Sequence, residues 1–463
     1  MIRNLQKIDH NNRTDIDSLG QVKLPSDAYY GPFTARAINQ YNATGIRTHN
    51  KLVQAFVMIK RSAAIANMKT SALNKKIGNA IVKACDIMLD GKFIDQIVID
   101  SINSGAGTAL HMNINEVITN IALEIIGKKK GQYEYINPND HANMSQSSND
   151  TFPTAMNIAV LINLKSCISE IQKLYSVLLK KSKQFSSIKK IGRTHLMDAV
   201  PVTLGGEFHA YAISINRSLQ YIITASKELE FVALGGTAVG TGTNASKKYR
   251  TAVIKELNHI SKLNLKSEKN LQYSIQSRFS ISNLSSTIKN FVLEVNRLSN
   301  DIRLMASGPI AGLGEIQIPT VHAGSSIMPG KVNPSLAECM NMICFQVIGN
   351  DTTISYAVQS GQFELNVMMP VMAKCILDSI DMLKNFLPIF SSNLINGIVA
   401  NETKLKEQIE QSPVIVTLLA PKIGYNKASK LFKKALEENK SIREIISSEN
   451  ILTNDEFNLL IRR

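Results

Sequence analysis

The chain has 463 residues, 44% of them hydrophobic and 19% charged, enough apolar mass for a large core shared among two or three domains. Its formal net charge of +15 invites a polyanionic partner. The lysines are scattered, however, with Lys128-Lys129-Lys130 the longest run, and tryptophan is absent, so no nucleic-acid binding is expected. A solvated lysine-rich surface accounts for the charge.

The five cysteines (Cys85, Cys167, Cys339, Cys344, Cys375) show no C-x-x-C spacing. They read as reduced core residues of a cytoplasmic protein, neither zinc ligands nor a disulfide frame. The polar start MIRNLQKIDHNNRTD lacks an apolar signal core, and no apolar run is long enough to span a bilayer, so no membrane association is expected.

Residues 1–45 are rich in turn formers, and Asp27 to Ala37 read as a capped loop leading into a helix. Two helices are expected over 52–92. Gly105-Ala106-Gly107-Thr108 then forms a glycine–threonine turn before a helix, a modest anion cradle. His111, just downstream, reads by itself as a packed or capping histidine. Ser145-Gln146-Ser147-Ser148-Asn149-Asp150 is a run of small polar residues before a long helical pattern, the signature of an N-cap.

From Met156 the apolar residues recur by threes and fours. Leu161, Leu164, Ile168, Ile171, Tyr175 and Leu178 form one stripe; Ile288, Phe291, Val295, Leu298, Ile302 and Met305 form another. Such stripes are the seams of long helices packed at shallow angles. Between them lies Gly192 to Pro201, read as a helix-breaking loop that carries His195 with Arg193, Thr194 and Asp198. Gly235-Gly236-Thr237-Ala238-Val239-Gly240 superficially matches a dinucleotide fingerprint. No strand or βαβ unit is expected around it, so nucleotide binding is rejected.

The segment Gly324-Ser325-Ser326-Ile327-Met328-Pro329-Gly330-Lys331-Val332-Asn333-Pro334 concentrates more chemistry than any other. Two glycines and two prolines exclude a continuous helix or a central strand. What remains is a loop bearing two hydroxyls, an ammonium and an amide, suited to closing over an anion. Beyond Gly397 the pattern shortens to small helices and turns.

That segment resembles the signature of the fumarase/aspartase superfamily, in the form carried by the fumarase and aspartase branch. Further matched motifs run from about Arg13 to about Leu460. The resemblance implies an all-α fold of three domains (1–140, 141–396 and 397–463), with a central long-helix bundle that assembles into a homotetramer. It also implies active sites shared between subunits and a small dicarboxylate substrate, with no cofactor and no metal.

Residue by residue, the resemblance makes Ser325 the base, His195 a catalytic histidine oriented by Glu338, and Lys331 and Asn333 a carboxylate clamp. Thr108, Ser147, Ser148, Asn149, Thr194, Ser326 and Arg36 are the implied substrate-binding groups. The Asn139-Asp140 element matches a second, non-catalytic anion site of fumarases. Tyr29-Tyr30, Ala199-Val200 and Thr352-Thr353 favour the ammonia-releasing aspartase type, whereas Ser147-Ser148 and Gly235-Gly236 lean towards fumarase. The chain departs from the pattern at Ala109, Gly206 and His111, the last standing where an asparagine is usual; a modified amino-dicarboxylate substrate stays open on that account.

Overall fold

The structure, a computed structural model, describes residues 12–322, 327–453 and 455–457. The chain divides into two compact units. The first comprises Met1–Ile168, Gln220–Asn290 and Gln346–Leu383; the second comprises Ser169–Leu219, Phe291–Phe345 and Lys384–Arg463. The fold is all-α in class, and its strands pair only in two-stranded sheets among the described residues.

The first unit opens with an antiparallel hairpin, β1 (Asn12–Asp17) and β2 (Gly20–Pro25), followed by α1 (Pro32–Gln40), α2 (Asn50–Lys69), α3 (Lys75–Leu89) and α4 (Thr108–Ile125). Helix α4 is buried on nearly every face, with Ala109, Leu110, Ile114, Val117 and Ile118 fully inside. An all-buried helix cannot leave its polar side chains wet, so most of them bond to protein. Asn113 accepts from the Val98 amide and donates to the Gln96 carbonyl; Asn120 donates to Tyr29 O and accepts from the Gly131 amide.

Long helices follow in chain order: α5 (Ser148–Gln184), α6 (Leu204–Ser226), α9 (Phe279–Met305), α10 (Ser335–Gln359) and α11 (Met369–Ile389). The predicted α9 stripe is buried at all six positions. On α5 the buried line is Leu164, Cys167, Ile171, Leu174 and Leu178, with Leu161, Ile168 and Tyr175 half-buried on its flank. Both lines keep the three–four rhythm of a packed seam.

Between α5 and α6 the chain forms an antiparallel hairpin, β3 (Lys189–Thr194) and β4 (Met197–Thr203), in the second unit. Its base carries a buried ion cluster: Glu315, fully inside, accepts from Lys190 at 2.7 Å and Arg193 at 2.5 Å. Ile191 of β3 joins an apolar cluster with Ile409, Ile415, Val416, Leu419, Leu431, Ile442 and Ile445. These come from α12 (Glu402–Gln411), the turn at Pro413–Leu418, α14 (Tyr425–Glu438) and α15 (Ile442–Ser448), with α13 (Ala420–Ile423) between them.

The remaining elements of the first unit are β5 (Phe231–Val232), α7 (Lys247–Ser261), β6 (Lys266–Ser267) and α8 (Leu271–Gln276). In the second unit β7 (Ile316–Gln317) pairs antiparallel with β8 (Val399–Ala400). Among the described residues, no helix is long and apolar enough to cross a membrane. All five cysteines are free, and four are buried.

Candidate active site

Four of the predicted substrate groups of the first unit, Thr108, Ser147, Ser148 and Asn149, lie where α4 and α5 begin; Arg36 is not among them. Gly107 sits at φ +66°, and a Cβ there would lie 2.1 Å from the Phe152 ring of α5. Glycine is therefore required both by conformation and by space. Its absence of side chain lets the start of α4 dock on the first turns of α5. Thr108, at the first position of α4, is half-buried, as are Ser147, Ser148 and Asn149.

Those small polar residues serve as a cap as well, the reading that the sequence alone supports. The Asn149 amide donates to Ser147 Oγ at 3.2 Å, and the Ser147 amide donates to Asp150 Oδ1 at 2.9 Å. The Ser147 hydroxyl caps the amide two residues on, and the Asp150 carboxyl caps the Ser147 amide. Capping leaves Ser148 Oγ facing His111 Nδ1, 2.8 Å away.

Asp150 also explains the glycine-rich loop. Its Oδ2 accepts from the Gly235 and Thr237 amides, both at 2.9 Å, so the backbone donors that would cradle a phosphate hold an internal carboxylate instead. Burial pushes the Asp150 carboxyl up to about 6, against the opposing pull of its amide donors. Contrary to the sequence expectation, a strand does precede this loop, since β5 pairs in parallel with β6 across α7. It is only two residues long, too short to register as a strand pattern in the sequence.

Arg36 lies on α1 and is bidentate to Asp17, at 3.0 and 3.1 Å. The guanidinium holds the Asp17 carboxyl below its ordinary range. Both line a cleft of about 550 Å³ together with Asn137, Asn139, Tyr133 and Glu116. The cleft thus joins Arg36 to the Asn139 element, while Thr108, Ser147, Ser148 and Asn149 lie outside its lining.

In the second unit, Thr194 and His195 are exposed at the tip of the β3–β4 hairpin. The sequence reading placed them in a helix-breaking loop; they end and follow a strand. His195 and Leu196 take φ of +57° and +63°, the left-handed pair of a tight two-residue hairpin turn. Among the described residues, no hydrogen bond or ion pair joins His195 to Glu338, which is half-buried in the first turn of α10. Lys331 is exposed and Asn333 half-buried. Met328-Pro329-Gly330-Lys331 form a turn closed by the Lys331 amide on Met328 O at 3.3 Å, with Gly330 at φ +81°. Proline then glycine at the two central positions is the type II arrangement. His322 Nε2 lies 3.0 Å from Ser335 Oγ, tying the two ends of the loop together. Ser325 and Ser326 lie outside the described residues.

Two residues of consequence, Lys60 and Glu116, escaped the sequence reading, and a third, Asp150, does more than the cap it reads as. Lys60 stands on the buried face of α2 among Phe56, Val57, Ile59 and Ala63, a placement its helical spacing signals. Asp150 reads as an ordinary cap. Glu116 accepts from the Gly31, Phe33 and Thr34 amides and the Thr34 hydroxyl, so a carboxylate from α4 caps α1.

Comparison with known proteins accounts for nearly the whole chain. Residues 20–349 match the family described as Lyase, and 415–462 match the fumarase C C-terminus. An aspartate ammonia-lyase of Bacillus sp is 44% identical over 97% of this chain and 96% of its own length. A class II fumarate hydratase of Wigglesworthia glossinidia brevipalpis is 41% identical over 97% of this chain and 97% of its own. Among solved structures, a fumarate lyase:delta crystallin of Brucella melitensis, bound to cobalt, superposes with a TM-score of 0.94 at 38% identity, covering 97% of this chain and 98% of that one. With the clustered polar starts of α4 and α5 and the Pro329-Gly330-Lys331 turn, these likenesses establish that the chain belongs to the fumarase/aspartase superfamily of lyases.

Proposed function

We propose that this protein is an aspartate ammonia-lyase, a carbon–nitrogen lyase that eliminates ammonia from L-aspartate to give fumarate. The observation that carries the reading is the 44% identity to an aspartate ammonia-lyase across 97% of the chain. The docking of α4 on α5, which groups Thr108 with Ser147, Ser148 and Asn149, supports it.

In the proposed reaction the Ser325 alkoxide takes the proton from the carbon beside one carboxylate. The electron pair delocalises into that carboxylate as a doubly charged aci form. It then returns to form the carbon–carbon double bond as the carbon–nitrogen bond breaks. Neutral ammonia leaves from the ammonium form of the substrate with the carbon–nitrogen electron pair, and the proton held by Ser325 passes to it as ammonium, which restores the alkoxide, so atoms and charge balance. The dianion is the costly species, and each well-placed donor facing it is worth about 3 kcal/mol. Ser326 and the loop amides are the proposed donors, with Lys331 and Asn333 on the other carboxylate and Thr108, Asn149 and His195 around the leaving group. Ser147 and Thr194 complete the binding groups, Ser148 faces a carboxylate, and Arg36 adds positive charge nearby. Glu338 is assigned to orient His195, and active sites shared between the subunits of a homotetramer are part of the proposal. Exposed apolar side chains on the long helices, among them Tyr221, Phe279, Met342, Phe345 and Tyr356, support such an assembly. Free thiols throughout accord with a cytoplasmic location.

The identity to a class II fumarate hydratase favours a second reading, release of water from L-malate. Fumarate formation from aspartate and from malate, with Ser325→Ala alongside, separates the two. Activity on aspartate that the variant loses supports the ammonia-lyase. Activity on malate alone replaces it with the fumarase, and activity on neither redirects the search to other amino-dicarboxylates.

A further inference from the structure

A line of side chains runs from the core of the first unit to the surface-facing start of α5. Lys60 and His111 are 0% and 1% exposed. Lys60 Nζ is in hydrogen-bond contact with His111 Nε2 and lies 2.9 Å from Asn143 Oδ1. His111 Nδ1 in turn lies 2.8 Å from Ser148 Oγ. Asn143 has its orientation fixed, because its amide nitrogen donates to the Gln146 carbonyl at 3.3 Å and leaves the oxygen for Lys60.

Counting N–H groups favours one order: if His111 Nε2–H donated to the amine lone pair instead, one Lys60 N–H would be buried without an acceptor. A neutral amine has two N–H groups, and the site offers two acceptors, Asn143 Oδ1 and His111 Nε2; a third hydrogen would be buried without a partner. Burial drives both Lys60 and His111 towards their neutral forms. A neutral imidazole carries one N–H. With Nε2 accepting from Lys60, the hydrogen sits on Nδ1 and is given to Ser148 Oγ. The Ser148 hydroxyl makes no other hydrogen bond among the described residues, so its own proton remains to be donated.

We propose that His111, held by Lys60, is a positioning residue that fixes the Ser148 hydroxyl as a donor towards a carboxylate of the substrate. A serine free to rotate would offer a lone pair to the same carboxylate part of the time. His111 removes that choice. The proposal rests on the lyase reading only for the identity of the carboxylate; the hydrogen-bond order is a property of the protein itself.

The test has two independent arms. Nitrogen-15 NMR of histidine-labelled protein is expected to show His111 as the neutral Nδ1–H tautomer, with its signal moving when fumarate is added. An Nε2–H tautomer or an imidazolium overturns the proposal. In kinetics, His111→Phe is expected to raise KM about tenfold, the value of one hydrogen bond to a charged group, with kcat changed by less than about threefold. His111→Asn keeps an N–H towards Ser148 and is expected to stay within about threefold of the parent in KM. Lys60→Met should repeat the phenylalanine phenotype, which covers failure of His111→Phe to fold. In a Ser148→Ala background His111→Phe should add nothing to KM. Equal losses in the asparagine and phenylalanine variants, or full additivity with Ser148→Ala, would assign His111 a packing role and overturn the proposal. If the parent protein turns over malate or another amino-dicarboxylate, the lyase substrate is revised and the same variants are read on that compound; if it turns over none, the NMR arm alone decides.

Discussion

The Asn149 side-chain amide donates to the Ala238 carbonyl at 2.8 Å, joining the first turn of α5 to the loop over 235–244. One residue thereby stands among the proposed substrate groups and holds a neighbouring loop. Asn149→Ala removes both functions. We expect kcat/KM to fall about a hundredfold, the order seen when a site is misplaced by an ångström, while stability drops by only about 1 kcal/mol. Initial rates of fumarate formation and urea midpoints check the two parts separately.

Asp150, next along the helix, gives the protein a pH signature. Its folded pKa of about 6 exceeds the ordinary 3.8, because burial outweighs its amide donors. A carboxyl raised on folding makes the native state bind the proton more tightly. Stability from this group is therefore full at low pH and is lost as pH rises from about 4 through about 6. Between about pH 4 and about pH 7 the stability of the parent relative to Asp150→Asn is expected to fall by about 2–3 kcal/mol. Paired urea titrations at the two pH values measure it; a difference independent of pH would contradict the assignment.

Glu116 offers the same logic at the start of α1, where it accepts from the Gly31 amide at 2.9 Å and the Thr34 hydroxyl at 2.6 Å. Glu116→Gln replaces one acceptor oxygen by a donor facing amide hydrogens. A loss of about 2–3 kcal/mol is expected. Because Glu116 and Arg36 line one cleft, the variant should also loosen α1, visible as faster amide exchange over 32–40.

Gly330 separates conformation from packing. A Cβ there would meet nothing within 4 Å, yet φ is +81°. Gly330→Ala is thus opposed by backbone conformation alone, at about 1–2 kcal/mol. In an exposed turn this should barely move the melting temperature, whereas kcat is expected to fall about tenfold if the turn must persist while the loop closes. Thermal melts and saturation kinetics on the same sample distinguish the two effects.

Much of the molecule is legible from residue order. The α9 stripe is readable because a helix with one apolar face repeats every three or four residues whatever its partner. The capping role of Ser147 and Asp150 is readable for a related reason, since caps involve neighbours in sequence. The β3–β4 hairpin escapes because its turn uses His195 and Leu196 at positive φ where glycine or asparagine is usual, which hides the turn signal. The β5–β6 pair escapes because two-residue strands carry no periodicity.

Local spacing by itself determined the long helical seams, and the resemblance carried by the 324–334 segment supplied the all-α class and the residues proposed for the site. Tertiary structure alone decided who bonds to whom. It set the Asp150 carboxylate in a cradle that looked like a nucleotide loop, and it brought Glu116 to the start of a helix more than eighty residues earlier in the chain. It turned His111 and Lys60 from an ordinary histidine and lysine into a buried pair behind Ser148. The physical reason is common to all three. A polar group removed from water must find its partner wherever the fold provides one, and sequence separation places no limit on where that is.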